Sequence, residues 1–67
     1  MAIVKVIEIL SESKNSWEDA AKNAVAEASK TIKNIKSVYV QDQSCVINDG
    51  KVDAFRVNVK ISFAVNS

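Results

Sequence analysis

The chain has 67 residues, with nine basic and eight acidic side chains, a formal net charge of +1, one cysteine and no histidine. This length predicts one domain over residues 1–67, and the near-neutral charge excludes the broad basic surface of nucleic-acid-binding proteins. An intrachain disulfide is excluded, and the commonest general base is missing, so partner subunits are the expected source of extra stability for so small a core.

The first ten residues, MAIVKVIEIL, predict a strand from Ile3 to Leu10, because isoleucine and valine dominate this short run. Lys5 and Glu8 interrupt what would have to be the apolar region of a signal peptide. No apolar run in the sequence approaches the roughly 20 residues of a membrane span. Together with the lone thiol of Cys45, these features predict a cytoplasmic protein that has no membrane partner.

A helix is predicted after a polar loop over Ser11–Asn15. Ser16 is a typical N-cap residue, because its hydroxyl can accept a hydrogen bond from the backbone N–H of residue 19. Apolar residues then recur at helical spacing at Trp17, Ala21, Ala24, Val25, Ala28, Ile32 and Ile35. This stripe predicts a helix of about five turns, or about 18 residues. Its alanines would let the helix lie close against a sheet.

Two further strands are predicted on either side of a tight turn. The second strand covers Ser37 to Ile47 and the turn is Asn48-Asp49-Gly50, where the Asp-Gly pair is a strong hairpin signal. In the third strand, apolar residues alternate with polar ones from Phe55 to Val65. An alternation this long indicates one buried face and one solvated face.

Pairing through this turn predicts that Gln43 lies opposite Arg56 and that Tyr39 lies opposite Lys60. The predicted helix-facing residues of these strands are Val38, Val40, Val46, Val57, Val59, Ile61 and Phe63. The predicted solvated residues are Ser37, Tyr39, Gln41, Gln43, Arg56, Asn58, Lys60 and Ser62. A β–α–β crossover makes the first two strands parallel, and the third fits between them. The predicted fold is therefore α+β, a β-α-β-β domain with an antiparallel sheet of order 1-3-2 packed on one helix.

The predicted elements differ in length. A third strand of about 12 to 14 residues spans about 40–46 Å, whereas the helix spans about 27 Å. One helix cannot cover such a sheet, and the apolar face near Phe55 would need another cover. The two outer strands also leave unpaired edges, which recruit partners. These features predict a homo-oligomer whose interface uses the hairpin end.

Few side chains suggest chemistry. Cys45 has no histidine to activate it, which favours a packing role. Trp17 is interpreted as a hydrophobic lid over one end of the core. Tyr39, with Arg56 and Lys60, could stack on a planar ligand, although a solvated sheet face is the alternative. The acidic residues around the hairpin do not fit the spacing of an EF-hand loop. No catalytic triad, phosphate loop, dinucleotide fingerprint or zinc spacing is present, so the protein is predicted not to be an enzyme.

Four segments in this order resemble the dodecin family: KVIEI, SWEDAAKNAVAEASKTIKNIKSVYV, the DGKV turn and FRVNVKISF. The resemblance runs from about Val4 to Val65. It implies a small β–α–β–β subunit that assembles into a hollow sphere of twelve copies. It also implies sequestration of flavins (riboflavin or FMN), held in pairs near subunit interfaces and stacked on a tryptophan.

The resemblance places the family's ligand-binding positions at Ser37, Asp42 and Arg56. The stacking tryptophan of the family falls at Ser37, and a glutamine that bonds the flavin ring falls at Arg56, whereas the aspartate at Asp42 is kept. Losing the aromatic ring removes about 1–3 kcal/mol of stacking. Arg56 replaces a donating and accepting amide with a donor-only cation.

The expected function is thus a non-enzymatic, homododecameric small-ligand binding or storage protein with a degraded flavin site. Some dodecins lack the same two residues, and a calcium-binding subgroup is among them. A calcium-binding variant that uses carboxylates at subunit interfaces is therefore one alternative, although the resemblance places no metal ligands in this chain. A structural shell without a physiological ligand is the other alternative.

Overall fold

The computed structural model describes residues 3–65, which form β1 (Ile3–Ser13), α1 (Trp17–Ala28), β2 (Ile35–Asn48) and β3 (Lys51–Val65). The three strands make one sheet in the order β1-β3-β2, in which β3 is antiparallel to both neighbours. The single helix packs on one side of this sheet, which we call the covered face. The predicted β-α-β-β topology and strand order are confirmed.

The core lies between α1 and the central strand. Val57, Val59 and Ile61 of β3 are fully buried. They meet the three buried alanines of α1, Ala20, Ala24 and Ala28, and the cluster is surrounded by Ile7, Ile9, Trp17, Val25, Ile32 and Ile35. Alanine side chains let the helix backbone approach the sheet closely, so a short helix still excludes water from β3. The apolar half of the β3 alternation is thus confirmed as the core.

The helix is shorter than predicted, because it ends at Ala28 and not near Ile35. The Ser29 hydroxyl donates a hydrogen bond of 2.7 Å to the Val25 carbonyl, a local bond of the kind that competes with regular helix. The backbone N–H of Ile32 returns to the Ala28 carbonyl at 2.9 Å in the turn that follows. Ile32 and Ile35 therefore reach the core from the turn and from the first residue of β2.

The junction of β1 and α1 is built around one carboxylate. The Ser16 hydroxyl caps the helix as predicted, accepting from the Asp19 backbone N–H at 2.9 Å. β1 continues to the buried Ser13, so the predicted loop is shorter than expected. The Ser13 hydroxyl donates to Asp19 Oδ2 at 2.6 Å. That hydrogen bond, more than those from the Asn15 and Asn23 amides, holds the pKa of the Asp19 carboxyl below its ordinary value.

The hairpin between β2 and β3 turns at Asp49 and Gly50, whose φ angles are 55° and 76°. Two consecutive positive φ angles are what a type I′ turn requires, which explains the Asp-Gly pair. Along the ladder, Gln41 is an extra residue on β2 between two paired positions. Asp53 is an extra residue on β3 near the hairpin. Each extra residue is a β-bulge. Beyond it, the positions that face the helix change between even-numbered and odd-numbered residues.

These bulges correct part of the predicted register. Gln43 lies opposite Val57 on the covered face, so the predicted pairing of Gln43 with Arg56 is wrong. Asp42 and Val46 lie on the other face of the sheet, although Val46 was predicted to face the helix. The predicted pairing of Tyr39 with Lys60 is confirmed, as is the placement of Ser37, Val38 and Val40.

The sheet is far longer than its helix. The longest dimension of the structure is 50 Å, whereas the 12 residues of α1 span about 18 Å. Exposed Ile47 and Val52 mark the hairpin end beyond the helix. Phe55 packs against Trp17 of its own helix, edge to face, with ring centroids 5.2 Å apart. The predicted mismatch is present, and the subunit itself supplies part of the cover for Phe55.

Candidate functional site

Among residues 3–65, no helix or strand packs on the sheet face opposite α1, and we call it the open face. The strand register places on it Val4, Val6, Glu8, Leu10 and Glu12 of β1, Arg56, Asn58, Lys60 and Ser62 of β3, and Ser37, Tyr39, Asp42 and Ser44 of β2. The central β3 row is polar. By contrast, the β1 margin carries Val4, Val6 and Leu10, each more than half exposed. The face therefore combines a polar centre with an apolar margin.

The three residues predicted for the ligand site, Ser37, Asp42 and Arg56, all lie on the open face. Two of them lie in different rows of the ladder. Ser37 of β2 lies opposite Ser62, whereas Arg56 of β3 lies opposite Ser44. Ser62 is the sixth residue after Arg56 on β3, so the two rows are about 20 Å apart along the strand. A single subunit thus brings the three residues to one surface but does not bring Ser37 and Arg56 into contact with one ligand.

Ser37 offers a hydroxyl where the family resemblance expects an aromatic ring. It is exposed, and its Oγ shares a hydrogen bond with the Ser62 Oγ of the neighbouring strand. A pair of hydroxyls can donate to or accept from a polar ligand. It provides no flat surface for stacking, so this position by itself does not hold a ring.

Arg56 is already engaged within the subunit. Its Nε donates to Glu12 Oε2 at 2.8 Å, and a second guanidinium nitrogen donates to the same oxygen. Glu12 stands directly opposite on β1. Both side chains are partly exposed, so the pair stabilises the fold by about 1 kcal/mol at most. These bonds direct the guanidinium of Arg56 toward β1. Any ligand at this position competes with Glu12 for the N–H groups of Arg56.

Asp42 is the acidic member of the candidate set. It is exposed and lies opposite Asn58, next to the open-face hydroxyl of Ser44. Calcium takes six to eight oxygen ligands, more than these three side chains provide. Within the described range, residues 3–65, no three acidic, histidine or cysteine side chains gather into a metal-binding group. A cation held at Asp42 would therefore need water or another subunit to complete its coordination.

A recess also lies on the covered side, next to α1, and it contains none of the predicted site residues. α1 sits over β1 and β3 more than over β2. The resulting groove of about 460 Å³ is lined by Glu18, Ala21, Lys22, Val25, Ala26 and Val38. Its floor is apolar, and the Glu18–Lys22 ion pair of 3.3 Å stands at its mouth. Sequence reasoning missed it, because the displacement of the helix from β2 has no signature in residue spacing.

Trp17 and Cys45 both have structural positions. Trp17 is partly buried against the core, which confirms the predicted lid. Its indole Nε1 also donates to the Ser44 carbonyl at 2.9 Å, a contact that ties the start of α1 to β2. Cys45 is half-buried on the covered face opposite Phe55. Neither side chain contributes to the open face.

Comparison with known proteins agrees with the fold and with the resemblance in sequence. The family model described as Dodecin matches residues 3–66. A curated protein of Mycobacterium tuberculosis, named calcium dodecin, is 32% identical over 63 residues, which cover 94% of this chain and 89% of that protein.

Solved structures give the same result. The crystal structure of the M. tuberculosis calcium dodecin, described as a calcium-chelating antigen with a novel calcium-binding site, matches with a TM-score of 0.84 and 30% identity, covering 96% of this chain and 91% of the other. The dodecin of Streptomyces coelicolor matches with a TM-score of 0.93 and 27% identity, covering 98% and 94% of the two chains. Residues 3–65 contain no helix that could span a membrane.

Proposed function

The chain belongs to the dodecin family, and we propose that it is a subunit of a non-enzymatic homododecamer that binds or stores a small ligand on its open face. The observation that carries this proposal is the separation of Ser37 and Arg56 by about 20 Å on one surface. A ligand that meets both positions needs two copies of the chain. The number twelve follows from the family resemblance.

The apolar margin of the open face supports assembly. Val4, Val6 and Leu10 are more than half exposed, on a strand that is also an unpaired edge of the sheet. Burying such side chains contributes about 1.5–3 kcal/mol each. Association through this margin would leave the polar β3 row lining the space between subunits, where a ligand can be held.

For the ligand, we propose a flavin, riboflavin or FMN, bound weakly. Ser37 provides no ring for stacking, and Arg56 is a donor-only cation engaged with Glu12. Both changes weaken contacts to an isoalloxazine ring. The cytoplasmic location stays a prediction from the sequence.

Two measurements on the purified protein test this function. Native mass spectrometry at micromolar subunit concentration should show a species of twelve copies. Quenching of flavin fluorescence should then show weak, saturable binding of FMN by that species. A stable folded monomer would contradict the assembly, and a dodecamer without any saturable flavin binding would contradict the ligand.

Calcium is a second candidate ligand, favoured by the name of the M. tuberculosis relative. Carboxylates such as that of Asp42 would contribute from several subunits, because residues 3–65 of one subunit do not assemble a metal-binding group. If calcium binds the folded protein, the melting temperature should rise with calcium concentration. The rise should be lost in Asp42→Asn and kept in Asp49→Asn, a matched control at the hairpin turn. Equal responses to calcium and magnesium, or no response, would contradict a specific calcium site.

A further inference from the structure

The open face carries one aromatic ring, although not at the position that the family resemblance indicates. Tyr39 is the only tyrosine of the chain, and 63% of its surface is exposed. It lies two residues from Ser37 on the same strand and the same face, about 7 Å away. The stacking surface that Ser37 lacks is therefore available one row along the sheet.

The row that contains Tyr39 also contains a cation. Lys60 lies directly opposite Tyr39 on β3, and Glu8 lies opposite Lys60 on β1. Lys60 belongs to none of the ion pairs formed among residues 3–65. This distinguishes it from Arg56, whose guanidinium is bound to Glu12. The Lys60 ammonium can thus bind an anionic group without first breaking an ion pair.

The neighbouring row adds hydroxyl groups. Ser37 and Ser62 share a hydrogen bond there, and side chains opposite each other in such a ladder have Cβ atoms about 5 Å apart. The Cβ atoms of the four residues that carry this ring, this ammonium group and these two hydroxyls therefore lie within a patch of about 5 by 7 Å. A ring surface next to a cation fits a planar aromatic molecule that carries a negative charge.

We propose that Tyr39 and Lys60 form the ring-binding part of the ligand site, and that the open face takes planar aromatic anions. Tyr39 stacks on the ring system, Lys60 binds the anionic group, and the Ser37–Ser62 pair bonds the polar edge of the ligand. This inference rests on the proposed function, since it names the ligand class of the same face. It also places any cation away from this row, because Lys60 repels it.

FMN and riboflavin are suitable probes, because they share one ring system and differ by a phosphate. Tyr39→Ala should weaken FMN binding roughly fivefold or more, whereas Tyr39→Phe, which keeps the ring, should stay within about twofold of the parent. Lys60→Gln should weaken FMN about threefold and leave riboflavin unchanged. Lys51→Gln at the hairpin is the matched control and should change neither.

A spectroscopic readout covers the case in which Tyr39→Ala fails to assemble. Incorporation of 3-fluorotyrosine yields a single ¹⁹F resonance, since the chain has one tyrosine. Titration with FMN should shift that resonance with the same midpoint as the fluorescence titration. FMN binding that leaves it unmoved, or affinities equal in the parent and Tyr39→Ala, would overturn the inference and leave the proposed function standing. Complete absence of FMN binding by the assembled parent would overturn both.

Discussion

The two faces of this sheet are made by the same three strands, yet they have opposite characters. On the covered face, Val57, Val59 and Ile61 are fully buried beneath one short helix. On the open face, the intervening Asn58 and Lys60 form a polar row, and exposed Leu10 lies at its margin. Beneath α1 the covered face is buried by its own subunit, whereas the apolar margin of the open face stays exposed among residues 3–65.

Alternate residues of the same strands therefore have different roles. Residues that face the helix stabilise the subunit, so changing them should affect folding irrespective of protein concentration. Residues of the open face pair with one another, as Arg56 does with Glu12, but lie under no helix, so changing them should affect assembly and ligand binding. The following predictions test that separation, from the largest expected effect to the smallest.

Ile61→Ala should lower the free energy of unfolding of the subunit by about 2–5 kcal/mol, because it leaves a cavity under α1. The adjacent open-face change Ser62→Ala should cost about 0.5 kcal/mol or less. Urea unfolding monitored by Trp17 fluorescence measures both. Equal losses in the two variants would mean that the faces are not energetically distinct.

Leu10→Ser should weaken association by about 1.5–3 kcal/mol per subunit, since it removes an apolar side chain from the proposed contact. Size-exclusion chromatography over a dilution series should show smaller species at concentrations where the parent stays assembled. Ile47→Ser, at the hairpin end predicted from sequence to form the interface, provides the comparison. Dissociation by Ile47→Ser and not by Leu10→Ser would assign the contact to the overhanging hairpin.

Ser37→Trp combined with Arg56→Gln should strengthen flavin binding by about 1–3 kcal/mol, because a stacking surface and a neutral amide are restored. Fluorescence titration with riboflavin measures the gain in affinity, and the two single variants show how much each substitution contributes. Tight binding by the parent, without improvement in the double variant, would show that the ligand does not use these two positions.

Among these changes, loss of the Asp19 carboxylate should lower the stability of the subunit least, and it concerns only the covered side of the sheet. Its pKa is lowered in the folded protein from an ordinary value of 3.8, chiefly by the Ser13 hydroxyl. Stability from this carboxylate is present above the ordinary pKa and is lost as the pH falls through the lower, folded value. Asp19→Asn should therefore destabilise the subunit at neutral pH and reduce the difference between urea midpoints at pH 7 and pH 3.

Glu18→Gln is the control for that experiment, since Glu18 is exposed on the same helical turn. It should keep the parent's dependence on pH. A pH dependence in Asp19→Asn that matches the parent would remove Asp19 as its source.

Elements with strong local signals could be predicted from the sequence. The alternation along β3 predicted its core face, the Asp49-Gly50 turn predicted the hairpin, and the β–α–β crossover predicted the strand order. The end of α1 was not predictable, because Ile32 and Ile35 continue the helical spacing beyond the last helical residue, Ala28. The apolar groove between α1 and β2 was missed for a similar reason, since it depends on where the helix settles.

The candidate site shows the same limit. Family resemblance proposed Ser37, Asp42 and Arg56, and alternation alone would have put Asp42 on the wrong face. The bulge that corrects this involves Gln41, a residue with no glycine or proline to mark it. The distance between Ser37 and Arg56 is also invisible until the strands are paired. The resemblance thus proposed the members of the candidate site, and only the ladder located them on the sheet.

The Gln41 bulge gives β2 one residue more than regular pairing with β3 needs, and that surplus protects the open face against the loss of a residue. Deleting the single codon for Gln41 would remove the surplus and make Val40 and Asp42 adjacent in the ladder. If the register is retained, Val40 stays opposite Val59, so it still faces the helix, and Ser37 and Tyr39 stay on the open face. In a regular stretch of strand, the same deletion would turn every residue on one side of it to the opposite face. The bulge therefore marks a point where β2 tolerates a change in length without exchanging its two surfaces.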